Sequence, residues 1–595
     1  MRKVLIYIFG IILFSSCTKA VLDKEPLDII SDANVWKDKA LTEAYLTRIY
    51  YEMYFLANES TGAGWNGDGF TAPFEVNEVS DECFPQWRDW NPSVAFRYKY
   101  GNLNIAGGLL EFWGYGTIRT INDYIAHAPS TPYSPEELKA KVAEARFLRA
   151  FCYFAMVKRY GGVPIITKVQ QAGDSQEELF PARDKEEAVY DFILSEIDAV
   201  ANDLPETVSA ENLGRPSKYA ALALKSRAAL YAASIAQFGE VKLNGVVGIA
   251  ASKSSVYYQA SLDASNAIIS SGKYALYNAD ANKTTNFRNL FLVKNNSEVI
   301  FVKRHDNVNN FTGGNGWSID FFNCPRPQAW GRGLYDQAYL ELAEAFDHVD
   351  GTAAKLDRDA IQKGLWTTDQ LWANKDPRFF ATFFTQNTMW KGTKLDFHRG
   401  IRLADGTIKT DGSVNGLLAN GDQDYEGTCI GILKYLDEGH DNMAGANSGW
   451  PTSAQDWQIF RYAEILLNAS EAAFELGKTG ESLSDINQVR SRAGIASLGA
   501  VSRENIRHER RVELAFEGHR YWDVRRWRTA VAELSKPMSG IRYILDAQTG
   551  NFQIKIVDNV DGTSNIPQFR TENYYFPITI ARTSNNPKLV ENPGY

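Results

Sequence analysis

The sequence predicts a mainly α protein, in which stacked helical hairpins support a large irregular, loop-rich region with a few short strands. Three observations predict it: helical apolar spacing in several long segments, Ala-rich contact faces on two of them, and Gly/Asn/Asp/Trp-rich stretches between them.

The clearest helix is 137–160, ELKAKVAEARFLRAFCYFAMVKRY, with apolar groups at Leu138, Val142, Ala145, Leu148, Cys152 and Ala155. Phe147, Phe151 and Phe154 add a second stripe, so this helix is expected between neighbours, and Gly161-Gly162-Val163-Pro164 ends it. Further helices are expected at about 185–203, 217–238, 255–271, 335–346, 456–477, 481–493 and 503–530. ALALKSRAALYAAS and YAEILLNASEAAFE place small residues at helical spacing, which lets paired helices approach closely. Each hairpin would cover its neighbour's apolar face, as in tetratricopeptide-like repeats. GLLEFWGYGTIRTINDYIAHA also reads as helical, which makes Trp113 and Tyr115 core residues. Between the helices, 56–105, 278–334 and 372–455 lack sustained periodicity; loops this long are usually functional.

At 44% hydrophobic and 23% charged residues, the 595-residue chain has no disorder signature. A formal charge of −9 and a pI near 5.5 argue against nucleic acid, whose phosphates select basic surfaces. MRKVLIYIFGIILFSSC reads as a targeting signal: Arg2 and Lys3, then an apolar run from Val4 to Phe14. That run is shorter than the roughly 20 residues a bilayer-spanning helix needs. Ser15-Ser16-Cys17 resembles a bacterial lipobox, so residues 1–16 would be removed and Cys17 would carry lipid. Cys83, Cys152, Cys324 and Cys429 form no CxxC and give no metal-ligand spacing, and no disulfide framework is expected.

FEGHRYWDVRRW, 516–527, has the crowding of an active site. His508-Glu509 begins like HExxH, but Val512 stands where the second histidine belongs, so the zinc reading fails. Glu509, Glu513 and Glu517 recur every four residues among Arg507, Arg510, Arg511 and Arg520, the spacing of ion pairs along a helix surface. Phe516, Trp522 and Trp527 would face a core. DQDYEG starts like a calcium loop, with Asp422, Asp424 and Glu426 at alternate positions, but Leu433 replaces the bidentate glutamate. That departure argues against an EF-hand, and these acids stay as weak calcium candidates. No P-loop, Rossmann fingerprint or Gly-x-Ser-x-Gly elbow occurs.

ERRVELAFEGHRYWDVRRW closely resembles the C-terminal signature of the SusD/RagB family of surface glycan-binding lipoproteins from Bacteroidetes nutrient-uptake systems. VLDKEPLD, AEARFLRAFCYFAMVKRYGGVPI, RPSKYAALALKSRAALYAAS, DPRFFATFF, RYAEILLNASEAAFELG, INQVRSRAGI and the ending YYFPI…NPKLVENPGY resemble further family blocks, in order along the chain. The resemblance implies a single domain over 17–595. About four tetratricopeptide-like helix pairs (36–55, 105–277, 335–350 and 456–530) would support variable ligand loops at 56–105, 278–334 and 372–455. It also implies no catalysis, an outer-membrane, cell-surface location, and a SusC-type TonB-dependent transporter for which the protein is the lid.

Aromatics link such a fold to sugars: an indole covers the C–H face of a sugar ring, and Asn, Asp, Gln or Arg meet its hydroxyls. WNGDGF offers Trp65, Asn66 and Asp68; QWRDWN offers Trp87, Asp89 and Trp90; GGNGWSIDFFNCPRPQAWGR offers Trp317, Asn323, Trp330 and Arg332. Oligosaccharide binding without a cofactor is the leading expectation. Peptide cargo and an all-helical glycoside hydrolase are its rivals, because the separation of carboxylate pairs is set in space.

Overall fold

The computed structural model describes residues 32–53, 75–85, 98–101, 103–104, 110–309, 314–329, 333–418, 427–444, 450–562 and 566–595. Among these, eight long helices form a ladder: α1 Lys39–Glu52, α2 Tyr115–His127, α3 Pro135–Tyr160, α4 Glu186–Val200, α5 Lys218–Phe238, α6 Ser254–Ser270, α7 Tyr462–Glu475 and α8 Thr479–Ala493. Each packs on the next in chain order, giving the four helix pairs of a tetratricopeptide-like scaffold.

Local chemistry sets the boundaries. A capping box opens α3: Ser134 Oγ accepts from the Glu137 amide at 3.2 Å, and the Glu137 carboxylate accepts from the Ser134 amide at 2.7 Å. Gly161, at φ +75°, closes the same helix, and a Cβ there would lie 2.9 Å from Val247 Cγ1. The small faces of α5, α6 and α7 meet through hydroxyls as well as alanines. Ser226 Oγ and Ser265 Oγ lie 2.8 Å apart, and Asn468 Nδ2 donates to Ser226 Oγ at 3.1 Å. One hydrophobic core runs through the ladder and continues beneath the loop region, from Trp36 to Leu589. Cys83, Cys152, Cys324 and Cys429 are buried, unpaired thiols.

The loop region carries short strands. Cys83–Pro85, Asp336–Ala338, Gly431–Ile432 and Phe383–Phe384 form one antiparallel sheet in that order. Val299–Lys303 pairs with Trp457–Arg461, and a third sheet is built on the hairpin of Gly540–Asp546 with Phe552–Val557.

Three expected helices are corrected. The segment 335–346 is strand Asp336–Ala338 followed by a short helix, Leu340–Ala345; in 456–477 strand Trp457–Arg461 precedes α7. The segment 503–530 is α9 Arg503–Glu513 and α10 Arg520–Arg526, and the break holds Phe516 at φ +61° and Gly518 at φ +76°. Burial of Phe516, Trp522 and Trp527 agrees with the sequence.

The ion pairs of this segment are not on a surface. Glu509, Glu513 and Glu517 are buried, and their partners come from other elements. Glu513 takes Arg378 Nη1 at 2.8 Å, Arg461 Nη1 at 2.7 Å and Arg492; Glu509 takes Arg378 Nη1 at 2.6 Å and Arg490 Nη1 at 2.9 Å. Glu517 takes Arg461 Nε at 2.5 Å and Lys434 Nζ at 2.7 Å, while Glu298 and Asp376 complete the cluster on Arg461, Arg492 and Arg378. Arg378, Arg461, Arg490, Arg492 and Lys434 thus balance Glu298, Asp376, Glu509, Glu513 and Glu517 one for one. Neutrality, with every charged group in contact with an opposite one, is what allows so much charge to be buried. Glu509 and Glu513 share a face of α9 that is turned inward, and Glu517 lies beyond the end of that helix.

Candidate ligand-binding face

The described segments 314–329, 433–444 and 450–456 meet around one buried carboxylate, with 304–309 joined to them through Asp456 and 386–395 through His440. Asp320 Oδ1 accepts from the Asp437 amide at 2.7 Å, and Oδ2 accepts from Gln455 Nε2 at 2.7 Å. Its amide donates to Ser453 Oγ at 3.1 Å, and its carbonyl accepts from Asn442 Nδ2 at 3.1 Å. Burial pushes the Asp320 carboxyl above its ordinary range, against the pull of His440, whose Nδ1 lies 3.9 Å away. His440 is itself fixed by Asn442 Oδ1 at 2.9 Å and Thr452 Oγ1 at 3.0 Å. These bonds replace the ladder that a regular sheet would have provided.

On this frame Trp450 is half-buried, its ring centroid 5.4 Å from that of Phe321 and 6.0 Å from that of Phe322. Met443, in 433–444, and Met389, in 386–395, are exposed. Lys391 Nζ donates to the His440 carbonyl at 2.6 Å. The half-open indole, with His440 held on Thr452 and Lys391 held on His440, forms an aromatic platform with polar groups close by.

Trp317 lies beneath this platform, 1% exposed, its ring stacked on His305 at 4.7 Å and edge-on to Trp457 at 6.1 Å. Asn323 is fully buried, with Oδ1 accepting from the Asp336 amide at 3.2 Å. In this structure both support the loop from below, and neither offers a face or amide to solvent. Trp65, Asn66, Asp68, Trp87, Asp89, Trp90, Trp330 and Arg332 lie outside the described residues, as do Cys17 and the calcium candidates Asp422, Asp424 and Glu426. Among the described residues no three His, Cys, Asp or Glu side chains cluster as metal ligands.

Trp450 and His440 were missed in the sequence. The signal was present, since Asn447-Ser448-Gly449-Trp450 repeats the small-polar-then-Trp pattern of the chosen segments. Asp320 and Lys434 carried no such signal, because their roles are set by partners distant in sequence.

A sequence profile described as "SusD family" matches residues 297–595, and one described as "Starch-binding associating with outer membrane" matches 71–230. The chain belongs to the SusD family. It is similar to a SusD-like protein of Bacteroides ovatus, 23% identical over 540 residues, covering 88% of this chain and 82% of the relative. Among solved structures it is similar to a SusD-like protein of Bacteroides fragilis, with TM-score 0.73, 25% identity and coverage of 96% of this chain and all of that one. A second, a SusD-like carbohydrate-binding protein of Bacteroides fragilis, gives TM-score 0.70, 23% identity, and coverage of 93% of this chain and all of that one.

The SusD-family signature of this chain, Glu509–Trp527, does not line the platform; it holds it in place. Lys434, in the loop bearing Asp437 and His440, reaches Glu517 Oε1 and the Ala515 carbonyl, both at 2.7 Å. Arg520 Nε pairs with Asp81 at 2.8 Å, which ties the 75–85 segment to the same turn.

Proposed function

We propose that this SusD-family protein is a lipid-anchored, cell-surface oligosaccharide-binding protein that captures glycan on its loop face. It would deliver that glycan to a SusC-like TonB-dependent outer-membrane transporter, which it covers as a lid. Family membership carries this reading. The half-open Trp450 platform supports it, and so do the lipobox-like Ser15-Ser16-Cys17 and the carbohydrate-binding relative. Trp65, Trp87, Trp90 and Trp330, with Asn66, Asp68, Asp89 and Arg332, remain the proposed contacts, and Trp450 joins them. Trp317 and Asn323 are assigned to their support. Binding of this kind needs placement and no bond-breaking chemistry, so the protein acts without catalysis.

The test is calorimetric titration of the mature protein against plant, microbial and host oligosaccharides, with Trp450→Ala alongside. The expected result is binding of at least one glycan, weakened roughly tenfold by the loss of one stacking indole. Binding of peptides but of no glycan would reassign the cargo. New reducing ends in the incubated glycan would make the protein a hydrolase.

A further inference from the structure

A cleft of about 390 Å³ opens between the end of α5 and the last segment of the chain, within the size range of small-molecule sites. It shares no residue with the loop face. Phe238, Val247 and Pro593 give it apolar wall, Tyr574 and Tyr575 add aromatic rings, and the charged groups on it are Arg528, Lys242, Glu240 and Glu572.

Arg528 is unusually fixed. Its Nη1 donates to the Arg525 carbonyl at 3.0 Å and its Nη2 to the Tyr575 hydroxyl at 2.7 Å. The guanidinium carbon lies 4.7 Å from the Tyr574 ring centroid and 5.0 Å from that of Tyr575. Its backbone is left-handed, at φ +58°, a conformation that costs a non-glycine residue about 1–2 kcal/mol and persists where the surroundings enforce it. Gly239 keeps the approach open, since a Cβ there would meet the Ile235 carbonyl at 2.5 Å and Arg528 Nε at 3.4 Å.

The charges of the cleft do not cancel locally. Lys242 pairs with Glu240 at 3.0 Å, and Glu572 pairs with Arg570 at 3.0 Å, but no described carboxylate stands at ion-pair distance from Arg528. The nearest acid along its hydrogen bonds is Glu186, behind Tyr575, whose hydroxyl donates to Glu186 Oε2 at 2.7 Å. Burial pushes that carboxyl above its ordinary range, against the pull of Arg528, and no described hydrogen bond joins the two directly. A guanidinium spread over two aromatic faces disfavours a cationic ligand. One without a carboxylate partner gains most from an anion of matching geometry.

We propose that this cleft binds a small hydroxylated ring acid, a sugar acid of the uronate class. Its carboxylate pairs with Arg528, its ring lies against Phe238 and Pro593, and Thr571 and Glu572 meet its hydroxyls. The site is separate from the loop face and does not depend on what that face binds.

Hydrogen exchange of the mature protein, read by mass spectrometry, tests this with millimolar D-glucuronate, D-glucose and benzoate. Glucuronate is expected to protect the peptides covering 235–248 and 571–595. Glucose, which lacks only the carboxylate, should need roughly tenfold more ligand, as befits loss of a charge-assisted bond. Benzoate, which lacks the hydroxyls, should also be weaker. Arg528→Gln should abolish the protection. Thr571→Trp, at the exposed rim, should block the cleft without touching the core, which keeps the test decisive if Arg528→Gln misfolds. Equal protection by glucose, tighter binding of benzoate, protection confined to the loops, glucuronate protection that survives both variants, or none at millimolar ligand would each overturn the proposal.

Discussion

Replacing Glu513 with Gln removes one negative charge from the buried cluster and changes the shape very little. Glu513 has no exposed surface, and its oxygens accept from Arg461 Nη1 at 2.7 Å, Arg378 Nη1 at 2.8 Å and Arg492. A glutamine can answer those donors with one oxygen, and its own amide group then faces a guanidinium donor to donor. Each arginine keeps another carboxylate: Arg378 has Asp376 and Glu509, Arg461 has Glu298 and Glu517, and Arg492 has Glu298. The loss is therefore far below the sum of the severed bonds. It amounts to the cost of one uncompensated buried positive charge, about 3–5 kcal/mol. Urea unfolding followed by tryptophan fluorescence should show that loss as a lower midpoint at unchanged slope. Lys39→Ala, which breaks the solvent-exposed Lys39–Glu137 pair at 2.8 Å, serves as the control and should leave the midpoint almost unmoved. The surrounding arginines hold the Glu513 carboxyl well below the usual carboxylate range. Its contribution is then fully present above the unfolded value, about pH 4.3, and is lost only as pH falls below it. The gap between wild type and variant should be flat from neutral pH to about pH 5 and narrow below. A Glu513→Gln variant within about 1 kcal/mol of wild type would refute the argument.

Lys434→Met removes the bonds to Glu517 and Ala515 and the ammonium over Phe291; Glu517 retains Arg461, but one buried negative charge is left uncompensated, so the cost should be about 3–5 kcal/mol. Faster amide exchange should then appear first in 433–444, and uniform acceleration across the chain would contradict the anchoring role. Asp485 is buried, with Oδ2 unpartnered, and burial reinforced by Glu481 pushes its carboxyl up to about 7. A folded value above the unfolded one means stability that is fully present below about pH 4 and lost as pH rises through about 7. Asp485→Asn should therefore match wild type in acid and melt higher at neutral pH, by about 2 kcal/mol; equal melting at pH 8 would count against it. Burial holds the Tyr190, Tyr339 and Tyr435 hydroxyls well above the ordinary range, so the fold should lose stability once pH passes the unfolded value near ~10. Tyrosinate absorbance at high pH should then rise with the loss of near-ultraviolet dichroism, and full titration of a native protein would disprove it.

The scaffold was legible because its information is local. The apolar period of 137–160 marks α3 to within two residues of its start, and Gly494 at φ +81° ends α8 just past the expected 493. The break between α9 and α10 was not legible. Glu517 continues the fourfold acid period although the chain has already turned at Phe516, because Glu517 answers Arg461 and Lys434 and not its own helix. Nor could composition separate Trp317 from Trp450. Both sit among glycine and asparagine, and what buries the first is a face-to-face contact with His305, a tertiary fact with no local trace. The loop face was therefore predictable as territory and only partly predictable as residues.

That division explains why the family signature is so heavily charged. Apolar packing is non-directional, and it suffices to stack α1 to α8 through stripes that repeat. The loop from Thr428 to Ala444 has only Gly431–Ile432 in a strand, so apolar contact alone would leave its register free. Its position is specified by directional bonds: Lys434 to the Ala515 carbonyl at 2.7 Å, Gln455 to the Tyr435 carbonyl at 2.9 Å, and the Asp437 amide to Asp320 at 2.7 Å. The first of these belongs to the buried charge cluster and the last to the centre of the candidate ligand face. A cluster rebuilt entirely from well-packed apolar side chains would cost the scaffold little, and could even strengthen it. It would remove the Lys434–Glu517 link, which carries the geometry of Glu509–Trp527 into the loop on which His440 and Asn442 stand. The crowded dodecapeptide is thus a positioning device, and its charges fix where the platform is held.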